Sequence, residues 1–379
     1  MADTCVHQHA GIYINPEGYL QLCGISKEIV VGHVPPHIDT VDCLDSFFRD
    51  TYFDNLRNTD VADNPYCIAC TRREANGVKS LRNMMVKKYE DNMVDLDVHS
   101  IQHLDVCFSN LCNQQCLMCN STSSSRWYKD DVRLSKAFDR RPVKYRKWTA
   151  NNMHKIIKLL PQLKILTIKG GEPLIQPEVH QILTFLRDNQ LYPRIEVLSN
   201  FQEITDDVME LLWSMSGLVL RVSMDAHGEM YNWTRGGSYD AVIDNLTRFV
   251  KGHPDGKYDF GYTNTLSRWS YRSLVSDIRA IAKATERMEV SGQINYNIQP
   301  VIGPAYASPF ADKRENRLDL IYEFEKEFGF ITGDNMDYGC LRLNHLQNIL
   351  SLESDTRDWS EDLYEQSLRW GEEIDAIRS

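Results

Sequence analysis

Strands and helices alternate through the middle of the chain, and this alternation is the strongest constraint on the fold. Between about residues 100 and 300, six short segments have the pattern of strands: HLDVCF, QLKILTI, RIEVLS, LVLRVSM, KYDFGYTNTL and QINYNIQPVI. Helical periodicity fills intervals between them, as in TANNMHKIIKLL and SYDAVIDNLTRFV. About six βα units in this order predict an α/β fold with parallel strands, whose carboxyl ends carry the functional site.

The regions on either side differ from this middle part. Residues 1–75 are rich in Cys, Gly, Pro and Asp, and predict a small α+β module with a hairpin at IYINPEGYLQL and a helix from Cys43. We expect a linker over 76–99, the α/β domain over 100–305 and a helical region over 306–379. The chain is therefore expected to hold one large domain between two smaller regions.

Composition narrows the function classes. The 379 residues are 42% hydrophobic and 25% charged, without an apolar run that could span a bilayer or a secretory leader, so we expect a cytoplasmic protein. In that compartment seven of the ten cysteines, which lie in two closely spaced groups, indicate metal or cluster ligation rather than disulfides, whereas Cys43, Cys107 and Cys340 are solitary. The net charge of −11 argues against nucleic-acid binding by the whole surface. Residues 126–158 nevertheless carry eleven Lys and Arg against three Asp, which predicts a solvated loop and helix face or, alternatively, a nucleic-acid footprint or a binding surface for an acidic peptide.

Three cysteines follow the first predicted strand of the α/β domain with the spacing Cys112-x3-Cys116-x2-Cys119. Three thiolates can hold three irons of a [4Fe–4S] cluster and leave the fourth iron open to a small ligand, whereas a closed cluster takes four. A structural zinc site is the alternative, although zinc ligands usually come as two paired arms. A second motif follows the second strand, where KGGEPLIQPEV contains Gly170, Gly171, Glu172 and Pro173.

In this order the two motifs resemble those of the radical S-adenosylmethionine (SAM) superfamily, and the resemblance covers about residues 100–300. It implies a partial (β/α)6 radical SAM barrel, with Cys112, Cys116 and Cys119 as ligands of the catalytic [4Fe–4S] cluster. It also implies SAM contacts from the turn Gly170–Pro173, which would hold the amino group, and from Asn200, Ser223, Asp225 and Arg235. Two positions depart from the family pattern: Phe201 replaces the glycine of a T-N-G motif, and Met118 stands where an aromatic residue is frequent.

The N-terminal region holds four further cysteines: Cys5, then Cys23 with Gly18 five residues before it, then Cys67 and Cys70 in a CxxC pair. Spacing alone fits zinc or a fully ligated [4Fe–4S] cluster. Mixed zinc ligation with His7 and His9 is also open, as is replacement of one cysteine by Cys340. The pattern resembles the twitch and SPASM auxiliary-cluster modules, and four ligands match the shorter twitch form. Such modules usually follow the barrel, whereas this one precedes it.

The resemblance implies a radical mechanism. SAM would be cleaved reductively to a 5′-deoxyadenosyl radical that abstracts a hydrogen atom, and the auxiliary cluster would accept an electron or bind the substrate, with oxidation or crosslinking as the outcome. The expected cofactors are SAM and two [4Fe–4S] clusters. The expected partners are a peptide or protein substrate and a one-electron reductant such as flavodoxin or ferredoxin. Two hypotheses remain open beside this one: radical SAM modification of a nucleotide, sugar or RNA, and a non-catalytic protein that binds zinc structurally.

Overall fold

The structure is a computed structural model that describes residues 5–25, 35–49, 51–75, 79–97, 100–138, 140–253, 258–301, 304–353 and 361–378. Predicted segments that reach residues 50, 76–78, 98, 99, 257, 302 or 354–360 fall at those positions outside the described residues. Within the described ranges there are ten strands: β1 Gly11–Ile14, β2 Leu20–Gln21, β3 His103–Cys107, β4 Ile165–Lys169, β5 Arg194–Ser199, β6 Leu218–Ser223, β7 Asp259–Leu266, β8 Ile294–Pro300, β9 Asn335–Tyr338 and β10 Leu341–Asn344.

Fifteen helices lie in the same described ranges, joined in places by short 3₁₀ turns. They are α1 Val6–Ala10, α2 Leu44–Phe48, α3 Thr51–Arg57, α4 Ile68–Ala75, α5 Leu81–Asp91, α6 Tyr128–Phe138, α7 Ala150–Leu159, α8 Pro177–Asp188, α9 Asp206–Trp213, α10 Gly228–Arg235, α11 Tyr239–Gly252, α12 Leu274–Glu286, α13 Arg314–Phe328, α14 Gln347–Leu350 and α15 Glu361–Arg378.

The chain divides into two compact units, and the first comprises Met1–Leu111, Lys144–Leu198 and Glu210–Val219. In this unit the strands lie in the order β2-β1-β3-β4-β5. The hairpin β1–β2 is antiparallel, as IYINPEGYLQL predicts, and β3 pairs in parallel with β4, and β4 with β5. Strand β1 also pairs in parallel with β3, Gly11 opposite His103. The N-terminal region thus adds two strands beside the first strand of the α/β domain.

The two faces of β3 and β4 differ in character. Leu104, Val106, Leu166 and Ile168 are fully buried and form one apolar face, which supplies the hydrophobic stabilisation of the unit. Alternate positions must point the other way because the side-chain period of a strand is two. The opposite face therefore carries polar side chains, among them Asp105 and Lys169, whose ion pair is 2.7 Å long.

The second unit comprises Cys112–Val143, Ser199–Met209 and Leu220–Ser379. In it β7 pairs in parallel with β8, and β8 with β10, while β10 and β9 form an antiparallel hairpin turned at Gly339, whose φ is +55°. The C-terminal region contains helices α13–α15, as expected, but the β9–β10 hairpin was not predicted. Each of its strands is only four residues long, so the alternation of Leu341 and Leu343 with polar residues in β10 is too short to stand out in the sequence.

The predicted α/β class is confirmed. Strands β3 to β8 alternate with helices along the chain, and each lies within a few residues of its predicted position, which is the order of a partial barrel. The predicted helix from Cys43 is divided into α2 and α3. No helix in the described ranges is long and apolar enough to cross a membrane. The proposed boundaries at 75, 99 and 305 stay predictions.

Candidate functional site

The cysteine triplet lies in an irregular loop between β3 and α6. Cys112 and Cys116 are buried, and Cys119 is half-buried. The pKa of Cys119 is raised well above its usual value by its hydrogen bond with Cys116, by burial and by the nearby Cys116 and Cys112 thiols, while Arg235 acts in the opposite direction. The three sulfurs therefore lie within electrostatic reach of one another, beside a guanidinium.

The carbonyl groups of this loop are held by side chains from distant parts of the second unit. Trp127 donates its indole N–H to the Cys116 carbonyl at 3.0 Å, and Trp370 of α15 donates to the Leu117 carbonyl at 3.2 Å. Arg140 donates to the Cys119 carbonyl at 2.7 Å, and its guanidinium lies 4.6 and 4.5 Å from the ring centres of Trp127 and Trp370. These contacts fix the backbone on which the three thiols stand.

We expect Trp370→Phe to loosen the triplet loop. The change keeps an aromatic ring but leaves the buried Leu117 carbonyl without its donor, which costs about 1–3 kcal/mol of unfolding free energy. Urea unfolding of the apo protein measures this loss, and iron retention after gel filtration measures the effect on the loop. The matched control is Trp269→Phe. Trp269 packs against the same hydrophobic cluster, but its indole N–H donates no hydrogen bond to the described residues. Equal behaviour of the two variants would contradict the prediction.

Arg235, at the end of α10, forms a buried ion pair with Asp225, which follows β6. Its Nη1 lies 2.5 Å from Asp225 Oδ2, and Asp225 is fully buried, its other oxygen accepting the Thr265 amide at 2.7 Å. Arg235 Nε donates to Gln114 Oε1 at 3.2 Å, and Gln114 stands between Cys112 and Cys116 in the triplet loop. The structure thus connects two of the predicted SAM contacts to the cysteine loop through a residue that sequence analysis missed.

Asn200 is also connected to this loop, because its Nδ2 donates to Asn113 Oδ1 at 2.7 Å. Phe201 has a φ of +55°, in the left-handed region that favours glycine. The Phe201 ring is fully buried against Phe249. Ser223 ends β6 and is half-buried. Met118 packs against the hydrophobic cluster of Trp127 and Trp370.

The Gly170–Pro173 turn lies in the first unit, directly after β4. Gly170 and Gly171 have φ values of +86° and +56°. A Cβ on Gly171 would lie 2.2 Å from the Leu111 carbonyl oxygen, and the Glu172 amide donates to that same oxygen at 2.8 Å. Glu172 is 1% exposed, and its Oε1 accepts the Leu174 amide at 3.0 Å. The turn is therefore packed against the residue that precedes Cys112 in the chain.

The four N-terminal cysteines of the first unit line one cavity. The space, including its opening, is about 480 Å³, and its lining is otherwise mostly apolar, with Leu22, Tyr66 and Met85 among its walls. Three polar side chains also line it: His7, Gln8 and Arg82. Residues up to 65 positions apart in the chain therefore lie at one cavity, and Cys5, Cys23, Cys67 and Cys70 form one group of potential ligands.

Burial controls the protonation of this group. It raises the pKa of Cys5 to about 11 and the pKa values of Cys23 and Cys67 to about 12, and the neighbouring thiols add to each rise. Backbone amides of His7 and Gln8 lower the pKa of Cys5, and Arg82 lowers those of Cys5 and Cys67. The three thiols are therefore protonated at neutral pH in the apo protein, and a metal group that binds here must displace their protons.

His7, one of the two histidines beside Cys5, belongs to a buried hydrogen-bond network. His7 is buried, with Nδ1 2.6 Å from the Tyr89 hydroxyl, which lies 3.2 Å from His103 Nδ1. His103 Nε2 in turn lies 3.0 Å from the Thr167 hydroxyl. Burial lowers the pKa of His7 to about 3, so this side chain is neutral at pH 7. The network ties α1, which follows Cys5, to β3 and β4.

Cys340 is placed in the turn between β9 and β10 of the second unit, and its thiol lies 3.5 Å from the Ala282 carbonyl. Among the described residues, no three His, Cys, Asp or Glu side chains are grouped closely enough to hold a single metal ion.

Residues 106–260 match the family model described as the radical SAM superfamily. This segment includes the triplet, the Gly170–Pro173 turn, Asn200, Ser223, Asp225 and Arg235, whereas the N-terminal cysteines lie outside it. The family model therefore covers the part of the chain that holds the predicted catalytic-cluster and SAM residues. None of the curated proteins matches the chain in sequence.

Several solved structures are similar to part of the chain. SuiB from Streptococcus suis bound to S-adenosylmethionine shares 14% identity over 74% of this chain, with a TM-score of 0.38. SuiB bound to the precursor peptide SuiA shares 13% identity over 75%, with a TM-score of 0.43. The chain spans 58% and 60% of those SuiB chains. Native anSMEcpe with bound AdoMet shares 14% identity over 71% of this chain and 95% of its own, with a TM-score of 0.39.

Proposed function

We propose that this protein is a radical SAM enzyme that modifies a peptide or protein and uses two [4Fe–4S] clusters. The observation that carries the proposal is the triplet Cys112, Cys116 and Cys119. Its three thiols converge in one loop, inside the segment that matches the radical SAM superfamily. Three thiolates fit a four-iron cluster with one open iron. When bound, this cluster and SAM supply the 5′-deoxyadenosyl radical that removes a hydrogen atom from the substrate.

The protein's own residues would bind and orient SAM. Arg235 offers a fixed cation beside the triplet for the carboxylate of SAM, and Asp225 holds that cation in place. The Gly170–Pro173 turn offers a polar backbone at the end of β4 for the amino group, with glycines that permit close approach. Asn200 and Ser223 complete the proposed SAM contacts. Alignment of the substrate and exclusion of water are the remaining tasks of the protein.

The N-terminal cavity would hold the second cluster. Four thiols in a mostly apolar pocket match the requirement of a fully ligated [4Fe–4S] cluster, and no iron is then left for the substrate. We therefore assign electron transfer, rather than substrate binding through iron, to this auxiliary cluster.

Contacts within the fold engage part of the basic stretch 126–158, which weakens the argument for an RNA substrate. Three of its cations already have partners inside their own unit. Arg140 pairs with buried Asp131, Arg146 Nη2 donates to Asp39 at 3.0 Å, and Lys155 Nζ donates to the Ile38 carbonyl at 2.8 Å. A stretch whose cations hold the fold together has fewer charges left for phosphates. An RNA substrate would instead show binding that weakens steeply with salt.

Anaerobic reconstitution tests the proposal. The wild-type chain is expected to bind about eight irons and to release 5′-deoxyadenosine from SAM with dithionite. The triple variant Cys112→Ala/Cys116→Ala/Cys119→Ala is expected to bind about four irons and to release none. The matched control Cys43→Ala/Cys107→Ala/Cys340→Ala removes the other three cysteines, and should keep the iron and the cleavage. Equal release of 5′-deoxyadenosine by the wild type and the triplet variant would refute the proposal.

A further inference from the structure

Gln8 points its side-chain amide at a sulfur of the N-terminal cavity. It lies on α1, three residues after Cys5, and is 3% exposed. Its Nε2 donates a hydrogen bond to Cys67 Sγ, with a nitrogen–sulfur distance of 3.3 Å. The contact joins the helix that follows Cys5 to the CxxC pair 59 residues later in the chain. Four thiolates are enough to ligate the cluster, so the hydrogen bond from the Gln8 amide to Cys67 Sγ needs another explanation.

Arg82 adds a positive charge to the same cavity. Its side chain lines the cavity and is held in place by Glu74, whose Oε1 accepts a hydrogen bond from Arg82 Nε at 3.1 Å. The side chain of Arg82 is 14% exposed, so water screens the charge only in part. Its field reaches two of the four sulfurs, those of Cys5 and Cys67. Gln8 and Arg82 therefore both act on the Cys67 side of the cavity.

Hydrogen bonds and positive charges near cluster sulfurs act on the reduction equilibrium. Reduction adds one electron to the cluster and increases the negative charge on its thiolate ligands. A donor N–H and a guanidinium stabilise that added charge more than they stabilise the oxidised state, so both raise the reduction potential. The apolar walls of the cavity strengthen the effect because they lower the local dielectric constant.

We propose that Gln8 and Arg82 are positioning residues that raise the reduction potential of the auxiliary cluster, Gln8 through its hydrogen bond to Cys67. This inference rests on the proposed function, because it needs a cluster on Cys5, Cys23, Cys67 and Cys70. A higher potential makes the cluster a better acceptor for the electron that the substrate radical loses when it is oxidised. The two side chains would thus set the direction of electron flow toward the N-terminal region.

The test uses the full chain with Cys112→Ala/Cys116→Ala/Cys119→Ala as background, so that only the auxiliary cluster remains. Iron content establishes that the cluster is present, and an EPR-monitored redox titration measures its potential without SAM or substrate. Gln8→Leu is expected to reduce the equilibrium constant for reduction at least tenfold, a shift of about 59 mV to more negative potential for one electron. Arg82→Met is expected to shift the potential in the same direction. The matched control is Gln162→Leu in the same unit, where Gln162 donates to Asp45 and to the Ile101 carbonyl; it should leave the potential unchanged.

The possible outcomes distinguish the existence of the auxiliary cluster from the effect of Gln8 and Arg82 on its potential. If the background variant binds no cluster, the proposed auxiliary cluster is wrong. If it binds one whose potential is unchanged by Gln8→Leu, the present inference is wrong. If Gln8→Leu loses the cluster, Gln8→Glu decides, because a carboxylate beside Cys67 must lower the potential. An unchanged potential in Gln8→Glu overturns the inference as well.

Discussion

Replacing Arg235 by methionine is expected to lower the free energy of unfolding of the apo protein by about 3–5 kcal/mol. The change leaves the fully buried Asp225 carboxylate without the cation that lies 2.5 Å away, and such an isolated charge is costly in the protein interior. Urea unfolding under anaerobic conditions measures the loss. The exposed pair Arg187–Asp188 provides the control, since Arg187→Met should change stability by less than about 0.5 kcal/mol.

The double variant Arg235→Met/Asp225→Asn distinguishes the effect of the unpaired charge on stability from the effect of the changed side-chain shape. Removing both charges should restore part of the stability lost in Arg235→Met, because no unpaired carboxylate remains. The double variant should still fail to bind SAM, since the proposed contact with its carboxylate is gone. Calorimetric binding of SAM to reconstituted protein measures this second effect. A loss of about 1 kcal/mol or less in Arg235→Met would show that Asp225 is not an isolated buried charge in the variant.

Gly171→Ala is expected to reduce the formation of 5′-deoxyadenosine at least tenfold. A Cβ at this position meets the Leu111 carbonyl oxygen at 2.2 Å and two further backbone carbons at 2.9 Å, and backbone atoms cannot move aside alone. Relief of the contact must displace Leu111 and with it the residue next in the chain, Cys112. The positive φ adds strain of about 1–3 kcal/mol.

Gly292→Ala is the matched control for that prediction. Gly292 also has a positive φ, +82°, but a Cβ there would meet no heavy atom of the described residues within 4 Å. The control therefore carries the backbone strain without the steric contact. Iron content and single-turnover release of 5′-deoxyadenosine should be close to wild type in Gly292→Ala and strongly reduced in Gly171→Ala. Equal activity of the two variants would show that the turn tolerates a side chain.

The elements that could be predicted from sequence are those with local signals. Strands β3 to β8 are short apolar or alternating segments, and the triplet and the glycine turn are compact motifs at strand ends. Phe201 shows the limit of motif matching, because the sequence reveals its departure from the family pattern but not its φ of +55°. The convergence of Cys5, Cys23, Cys67 and Cys70 on one cavity was implied by resemblance, and their spacing alone did not require it.

The residues that sequence analysis missed act over long distances in the chain. Gln114 contacts Arg235 across 121 positions, and Trp370 contacts Leu117 across 253. Nothing in the local pattern of Trp370 distinguishes it from any apolar residue of an amphipathic helix. Gln8 is the exception, since it lies three residues from Cys5 on a predicted ligand segment. A search for amides near each candidate ligand could have selected it.

The hydrogen bond from Trp370 to the triplet loop has a consequence for how the enzyme matures in the cell. Ribosomes add about 5–20 residues per second, so Trp370 is made roughly 13–50 s after Leu117. During that interval the nascent triplet loop lacks one of the side chains that hold its backbone. Iron–sulfur delivery during translation would meet an incompletely supported loop, whereas delivery after chain release would meet the finished one. The position of this tryptophan therefore favours post-translational insertion of the cluster.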